Sequence, residues 1–413
     1  MAEVPGYSEV ASALVENDFE TVIDSVRHAV AENPVAALSD PVIQDWLGRR
    51  YRNIFLTEAA NDRNALRVAV NKVPLPMQFI DRRSTKELLA SRFLKGSARE
   101  ESHVEMPVAA EPHLDFTTLL FVPGMMTGLL PVTAFQSVWP RLEDRFGVKI
   151  LTADVHPARS SHDNGEDIQA ALDRGRGIDA DSLQIPRKRA TKPGDVVILG
   201  YAKGATDAMV FFAEHPEYAS RVRAFIGWAG IFGGSYIADD VAERLPEGPS
   251  PTEPLSGQIG KLLRQIVPVV QVDRVSSRLA EYDVAAAVAD MTTIKREEFL
   301  RDNLGTISAL GIPSFTFAGV TSVREVPYYQ ALGVLQLKNY DKNNDMLLTS
   351  SQTKLPVSHS TQLATFRAHH WDLAYDPFPW FTRMGSLNVD HKFARYPALA
   401  ALIIFLSELG LMD

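Results

Sequence analysis

Four short runs of apolar, β-prone residues between positions 114 and 230 (LDFTTLLFVPG, VKILTADV, DVVILGY and VRAFIGWAG) are separated from one another by stretches of helical character. Strands that are apolar along most of their length cannot leave one face in water. Alternated with helices, they specify a mostly parallel sheet with helices on both faces, and hence an α/β fold. The intervening helices are read over VTAFQSVWPRLEDRFG, HDNGEDIQAALDRG and ATDAMVFFAEHPEYA.

The alternation pauses over 232–305, where DDVAERL, GQIGKLLRQIVPVV and SRLAEYDVAAAVADMTTIKREEFLRDNL read as helices without strands, and it resumes with IPSFTFAGV. A helical insertion between two strands of one sheet has the form of a lid or cap. Before the first strand, residues 1–105 show helical periodicity. Val10, Leu14, Phe19, Val22, Ile23, Val26 and Val30 fall along roughly one stripe. Asp40 followed by Pro41 reads as a helix start, and STKELLASRFLKG as a capped helix ending at Gly96. The polar, proline-marked segment SAREESHVEMPVAAEPH then forms a boundary. The expected organisation is a helical N-terminal region (1–105), a core split over 106–231 and 306–413, and a helical insertion (232–305). PALAALIIFLSELGLM at 397–412 falls short of the ~20 residues a bilayer span needs, and reads as a buried terminal helix.

The strand DVVILGY runs straight into GYAKGATDAM. A tight strand-to-helix turn with glycines two positions either side of its middle residue is the form of a nucleophile elbow, G-x-S-x-G. The small flanking residues allow the middle residue a strained backbone. Gly200 and Gly204 hold the flanking positions, with Tyr201 and Lys203 inside them. The middle residue is Ala202, where a serine is expected. The helix that begins there aims free backbone N–H groups at anything above residue 202. A generic αβ turn with packing glycines is the plainer reading.

From LLFVPGMMTG through GYAKG to the C-terminal tail, the chain resembles the α/β-hydrolase superfamily, and its tail distantly resembles bacterial lipases and esterases. The matching tail segments are NNDMLLTSSQTKLP and ATFRAHHWDLAY, in the superfamily's order of elbow, acid, histidine. The resemblance implies that Asp345 is the orienting acid and His370 the general base, with His369 as its neighbouring alternative and His359 and His391 weaker candidates. It also implies an oxyanion hole from the backbone N–H groups of Met125 and Lys203, with Gly124 and Gly128 permitting close approach. In those lipases the aspartate matching Asp372 binds calcium. A partner from the region of Glu325 does not match convincingly, so the expectation is no metal.

Composition narrows the alternatives. A net charge of −9 gives no basic excess with which to hold nucleic acid, and PRKRATK at 186–192 reads as a solvated loop. There is no cysteine, which excludes disulfides and thiolate chemistry. PGMMTG lacks the glycine spacing of a dinucleotide-binding turn, so no cofactor is expected. The N-terminus lacks the pattern of a secretory signal, and a cytoplasmic protein without a membrane span is the expectation. The N-terminal helices leave three roles open: pocket cover, sheet flank, or dimer surface.

The expected function is a serine-type carboxylic-ester hydrolase acting on a small, hydrophobic ester or acyl substrate, here silenced by alanine at 202. The otherwise intact set of positions favours a deliberate Ser→Ala substitution. The alternatives are a natural ligand-binding protein on the same fold, or an acyltransferase or lactonase.

Overall fold

The computed structural model describes residues 7–71, 82–96, 98–114, 117–245, 278–379 and 392–412. Six parallel strands form one sheet in the order β2-β1-β3-β4-β5-β6. They are β1 (Thr118–Val122), β2 (Lys149–Thr152), β3 (Val196–Tyr201), β4 (Val222–Trp228), β5 (Ser314–Val320) and β6 (Ser360–Arg367). Alternate side chains serve opposite faces, as the pleat requires. Leu119 and Phe121 of β1, and Val197, Leu199 and Tyr201 of β3, join the larger core. Leu120 and Val122, with Val196 and Ile198, join the smaller one on the other face. The order of strands reverses beside β1, and β3 lies next to it, with Val122 opposite Gly200. A crevice at the carboxyl ends of the strands opens at such a switch point.

The three helices read between the first strands are present, with two shortened: the one read over ATDAMVFFAEHPEYA ends at Glu214, before Pro216 opens a short 3-10 turn. The first runs only over Trp139–Phe146. Its expected first turn is irregular because Phe135 takes a φ of 56° and donates its N–H to Ala374. Ser160 caps Ser161–Arg174, and left-handed Gly175 ends it. Within the expected insertion, the described helices are Tyr236–Arg244, Val284–Ala289 and Thr293–Ala309. The last of these supplies Ile307 to the smaller core. GQIGKLLRQIVPVV and His391 lie outside the described residues.

A sixth strand that hydropathy does not announce, β6, closes the sheet. In its sequence STQLATFR, Thr361, Leu363, Ala364 and Phe366 are buried, Ser360, Gln362 and Thr365 are half-buried, and Arg367 is exposed. Its outer edge is covered by the N-terminal region. Leu94 bridges Phe366 in antiparallel fashion, Lys95 N–H donates to Thr365 O at 2.8 Å, and Arg367 Nε donates to Leu94 O at 2.8 Å. This pairing explains why the helix begun at the Ser84 cap stops at Phe93 instead of continuing to Gly96. A covered edge cannot template pairing with another chain. The long helix Pro41–Asn61, capped by Asp40, packs against β6 and the C-terminal helix Arg395–Glu408. Tyr51 Oη donates to Ala398 O at 3.0 Å, and buried Arg50 forms a two-pronged pair with Glu408, Nε to Oε1 at 2.7 Å. The N-terminal helices thus share one hydrophobic core with the sheet.

Candidate active site

β3 ends at Tyr201, and the helix Lys203–Glu214 starts two residues later. Between them Ala202 has φ 50° and ψ −120°. A residue with a Cβ reaches that conformation only under strain, which the surroundings must enforce. The enforcement is visible in the glycines. A Cβ on Gly204 would lie 2.0 Å from Val122 O, and one on Gly200 would lie 2.5 Å from Ala205 Cα. Gly124 sits against the turn itself, where a Cβ would be 3.1 Å from Ala202 Cβ. Ala202 O accepts from the N–H groups of Ala205 and Ile231, each at 3.2 Å, which ties the turn to the segment after β4.

The loop after β6 carries His370. Its Nδ1 lies 2.8 Å from Asp345 Oδ2, and its N–H donates to Asp345 O at 2.9 Å. Asp345 is fully buried, and its other oxygen accepts from Leu347 N (3.0 Å) and Leu348 N (2.7 Å). Both carboxylate oxygens are therefore engaged, and the pair leaves Nε2 of His370 as the nitrogen available to the cavity. Tyr201 brings this loop to the elbow: its ring stacks on His370 at 5.1 Å, and its hydroxyl donates to His370 O at 3.0 Å. Ala202 and His370 line one cavity together with Met125, Lys203, Met291 and Trp371. Its volume is about 100 Å³ and its walls are mostly apolar. Among the described residues, no protein acceptor takes the backbone N–H of Met125 or of Lys203.

The other candidates lie elsewhere. His369 is buried with its Nδ1 accepting from Asp372 N at 3.1 Å, and burial pushes its pKa down. It lines a second cavity, which Ala202 and His370 do not line. His359 is also buried and its pKa is likewise lowered by burial. Asp372 accepts from Phe393 N at 2.9 Å and from Arg395 Nη1 at 3.4 Å, so a guanidinium supplies the positive charge beside it. Among the described residues, no group of three or more potential ligands is placed to hold a metal ion. No described helix is long and apolar enough to cross a membrane.

No protein-family model matches the sequence, and comparison with curated proteins gave no match. Solved structures do match. A metagenomic carboxyl esterase superposes with a TM-score of 0.60 at 18% identity, over 87% of this chain and 91% of its own. The mature form of the Bacillus licheniformis lipase BlEst2 is 20% identical over 65% of this chain and 88% of its own, with a TM-score of 0.39. A lipase-esterase related protein from Clostridium acetobutylicum follows at 14% identity, over 64% and 91%, with a TM-score of 0.34. At these identities the likeness is one of fold, and the first structure carries it. The chain has the α/β-hydrolase fold.

Within that fold, three features were not read from the sequence. Gly319 of β5 lets the acid and histidine loops approach: a Cβ there would lie 2.8 Å from Ala368 O and 2.9 Å from Asp345 Cβ. A glycine inside the strand FTFAGV is the signal that marks such a close approach. Lys203 is only 2% exposed, and its Nζ lies 2.6 Å from Asp207 Oδ1 and 3.3 Å from Ser161 Oγ. Asp207 in turn accepts from Asn164 Nδ2 at 2.9 Å. The i,i+4 spacing of Lys203 and Asp207 in the α/β-hydrolase elbow helix was legible, its burial was not. Tyr375 also lines the cavity, and a tyrosine in a turn carries no local signal of that.

Proposed function

We propose that this chain is a serine-type carboxylic-ester hydrolase whose nucleophile position is occupied by Ala202. One observation carries the reading. The Asp345–His370 pair and the strained residue 202 meet at one apolar cavity at the carboxyl end of the sheet. With serine at 202, His370 Nε2 would accept the hydroxyl proton as Oγ attacks the ester carbonyl. Charge developing on the carbonyl oxygen would meet the N–H groups of Met125 and Lys203 at the start of the elbow helix. His370 would then return the proton to the departing alkoxide, and water would repeat the sequence on the acyl-enzyme. Asp345 holds the imidazole in the tautomer this requires.

The cavity sets the substrate class. A dry cavity of ~150 Å³ takes up a benzene ring, so about 100 Å³ suits a short apolar acyl or alkoxy group. Alanine at 202 cannot form an acyl-enzyme, and the chain as written binds esters without turning them over by this route. The intact partners of residue 202 favour a Ser→Ala replacement. The methyl group itself favours the second reading, a natural ligand-binding protein on the same fold, and an acyltransferase or lactonase would share the elbow.

Restoring the hydroxyl tests the proposal. Ala202→Ser should be labelled by a fluorophosphonate and should cleave short p-nitrophenyl esters, with kcat/KM at least about 10³-fold above the Ala202 protein. A folded Ala202→Ser protein that neither labels nor cleaves short esters or lactones would overturn it.

A further inference from the structure

We infer that Tyr375 is a substrate-contacting residue that selects esters bearing a second oxygen acceptor within the short group the cavity takes up. This rests on the ester-binding reading of the cavity and names the substrate more closely. Tyr375 is 3% exposed and lines the same cavity as Ala202 and His370. Its backbone is pinned twice, by an N–H bond to Trp371 O at 2.8 Å and by an antiparallel bridge to Ala134. Its ring packs edge-on against Tyr201 at 5.9 Å and Phe378 at 6.1 Å. The phenol is therefore held in place. Yet among the described residues its hydroxyl has no hydrogen-bond partner, and burial is the only influence on its acidity.

Three other buried aromatic donors of this core do have partners. Tyr201 donates to His370 O, Tyr51 to Ala398 O, and Trp228 Nε1 to Leu373 O. Buried aromatic donors normally find a partner, because an unmade bond costs the full desolvation of the group. Two other polar side chains of the cavity are already committed, and His370 offers its Nε2 as an acceptor. Lys203 Nζ is bound to Asp207, and Ser235 Oγ donates to Leu347 O at 2.8 Å. Tyr375 thus supplies a free side-chain donor in a mostly apolar cavity, the arrangement by which ligand sites fix orientation. Burial pushes its pKa upward, so the phenol stays protonated and acts as a donor at neutral pH. The matching ligand group is an acceptor such as an ether, ketone, hydroxyl or second ester carbonyl. Sites built to donate such a bond discriminate strongly against analogues that lack the acceptor.

The Ala202 protein allows binding to be measured without turnover. Ethyl pentanoate would be compared, by NMR titration, with its ether isosteres ethyl ethoxyacetate and ethyl 3-methoxypropanoate. We expect at least one isostere to bind about tenfold more tightly than the alkyl ester, the value of one hydrogen bond. Tyr375→Phe should bring that ratio close to one without lowering the thermal unfolding midpoint, since it removes no protein hydrogen bond. A ratio near one in the Tyr375 protein, or a ratio that Tyr375→Phe leaves unchanged, overturns the inference. So does a Tyr375→Phe protein that loses several degrees of stability with the ratio intact. Fluorophosphonate labelling of Ala202→Ser reads the catalytic proposal separately, so either can fail alone.

Discussion

His370 and Asp345 are joined twice, by the 2.8 Å contact between Nδ1 and Oδ2 and by the 2.9 Å bond from the His370 N–H to the Asp345 carbonyl. The side-chain bond selects the tautomer, and the backbone bond fixes the distance between the two loops. In the Ala202→Ser protein, Asp345→Asn would present an N–H to Nδ1 and favour the wrong tautomer. We expect kcat to fall by about 10³–10⁴-fold with KM little changed. Steady-state kinetics on a short p-nitrophenyl ester reads the outcome. Loss confined to KM would show that Asp345 acts on binding instead.

Residue 202 stores strain that two substitutions should report with opposite signs. Its conformation costs a residue with a Cβ about 1–3 kcal/mol, whereas glycine adopts it freely at an entropic cost of about 0.5–1 kcal/mol. Ala202→Gly should therefore stabilise the protein by about 1 kcal/mol. Gly204→Ala should do the reverse. Its new methyl would meet Val122 O at 2.0 Å, a backbone atom that cannot step aside, and a loss of about 3 kcal/mol is expected. Denaturant midpoints measure both. Equal effects of the two changes would mean that the turn relaxes.

The elbow was legible in the sequence because its constraints are local. Two glycines at fixed spacing, a strand before and a helix after are all contained in DVVILGYAKGATDAM. The pairing of Asp345 with His370 came from chain order in a resembling family, since nothing local brings together residues on separate loops. β6 was not legible. STQLATFR is half polar, and its stability comes from Phe315 and its neighbours on one side and from Leu94 on the other. The early end of the helix at Phe93 was hidden for the same reason, being set by a partner almost three hundred positions away. Tyr375 became visible only once the cavity lining was known and its hydroxyl was seen to lack the carbonyl partner that Tyr201 and Tyr51 have.

Lys203 and Asp207 form an ion pair with both side chains 2% exposed. Taking one charge from a buried pair leaves the other uncompensated, at a cost of about 3–5 kcal/mol, while replacing both with apolar groups is often neutral. Lys203→Met alone should destabilise strongly, and Lys203→Met with Asp207→Leu should recover most of the loss. Ser161 and Asn164 each contact the pair and keep part of the network unsatisfied in the double variant, so recovery should be incomplete. Thermal denaturation of the two single variants and the double variant closes the cycle. Strict additivity would show that the pair carries no coupling.

His156 should make the protein sensitive to acid. It is buried edge-on to Tyr282 at 4.4 Å, and its Nδ1 accepts from Ala158 N at 3.2 Å. Burial, with help from the Arg278 and Arg159 guanidinium groups and against the pull of Glu281, lowers its pKa to about 4. The folded imidazole therefore refuses a proton that the unfolded chain accepts from about pH 6.5 downward. Stability from this group is fully present above that pH and is lost as pH falls toward 4. Burial lowers the pKa of His359 and His369 too, and their contributions carry the same sign. Unfolding free energy measured from pH 7 to 4.5 should fall, and His156→Gln should flatten the slope by up to one proton, about 1.4 kcal/mol per pH unit. An unchanged slope would mean that His156 is protonated in the folded protein over this range.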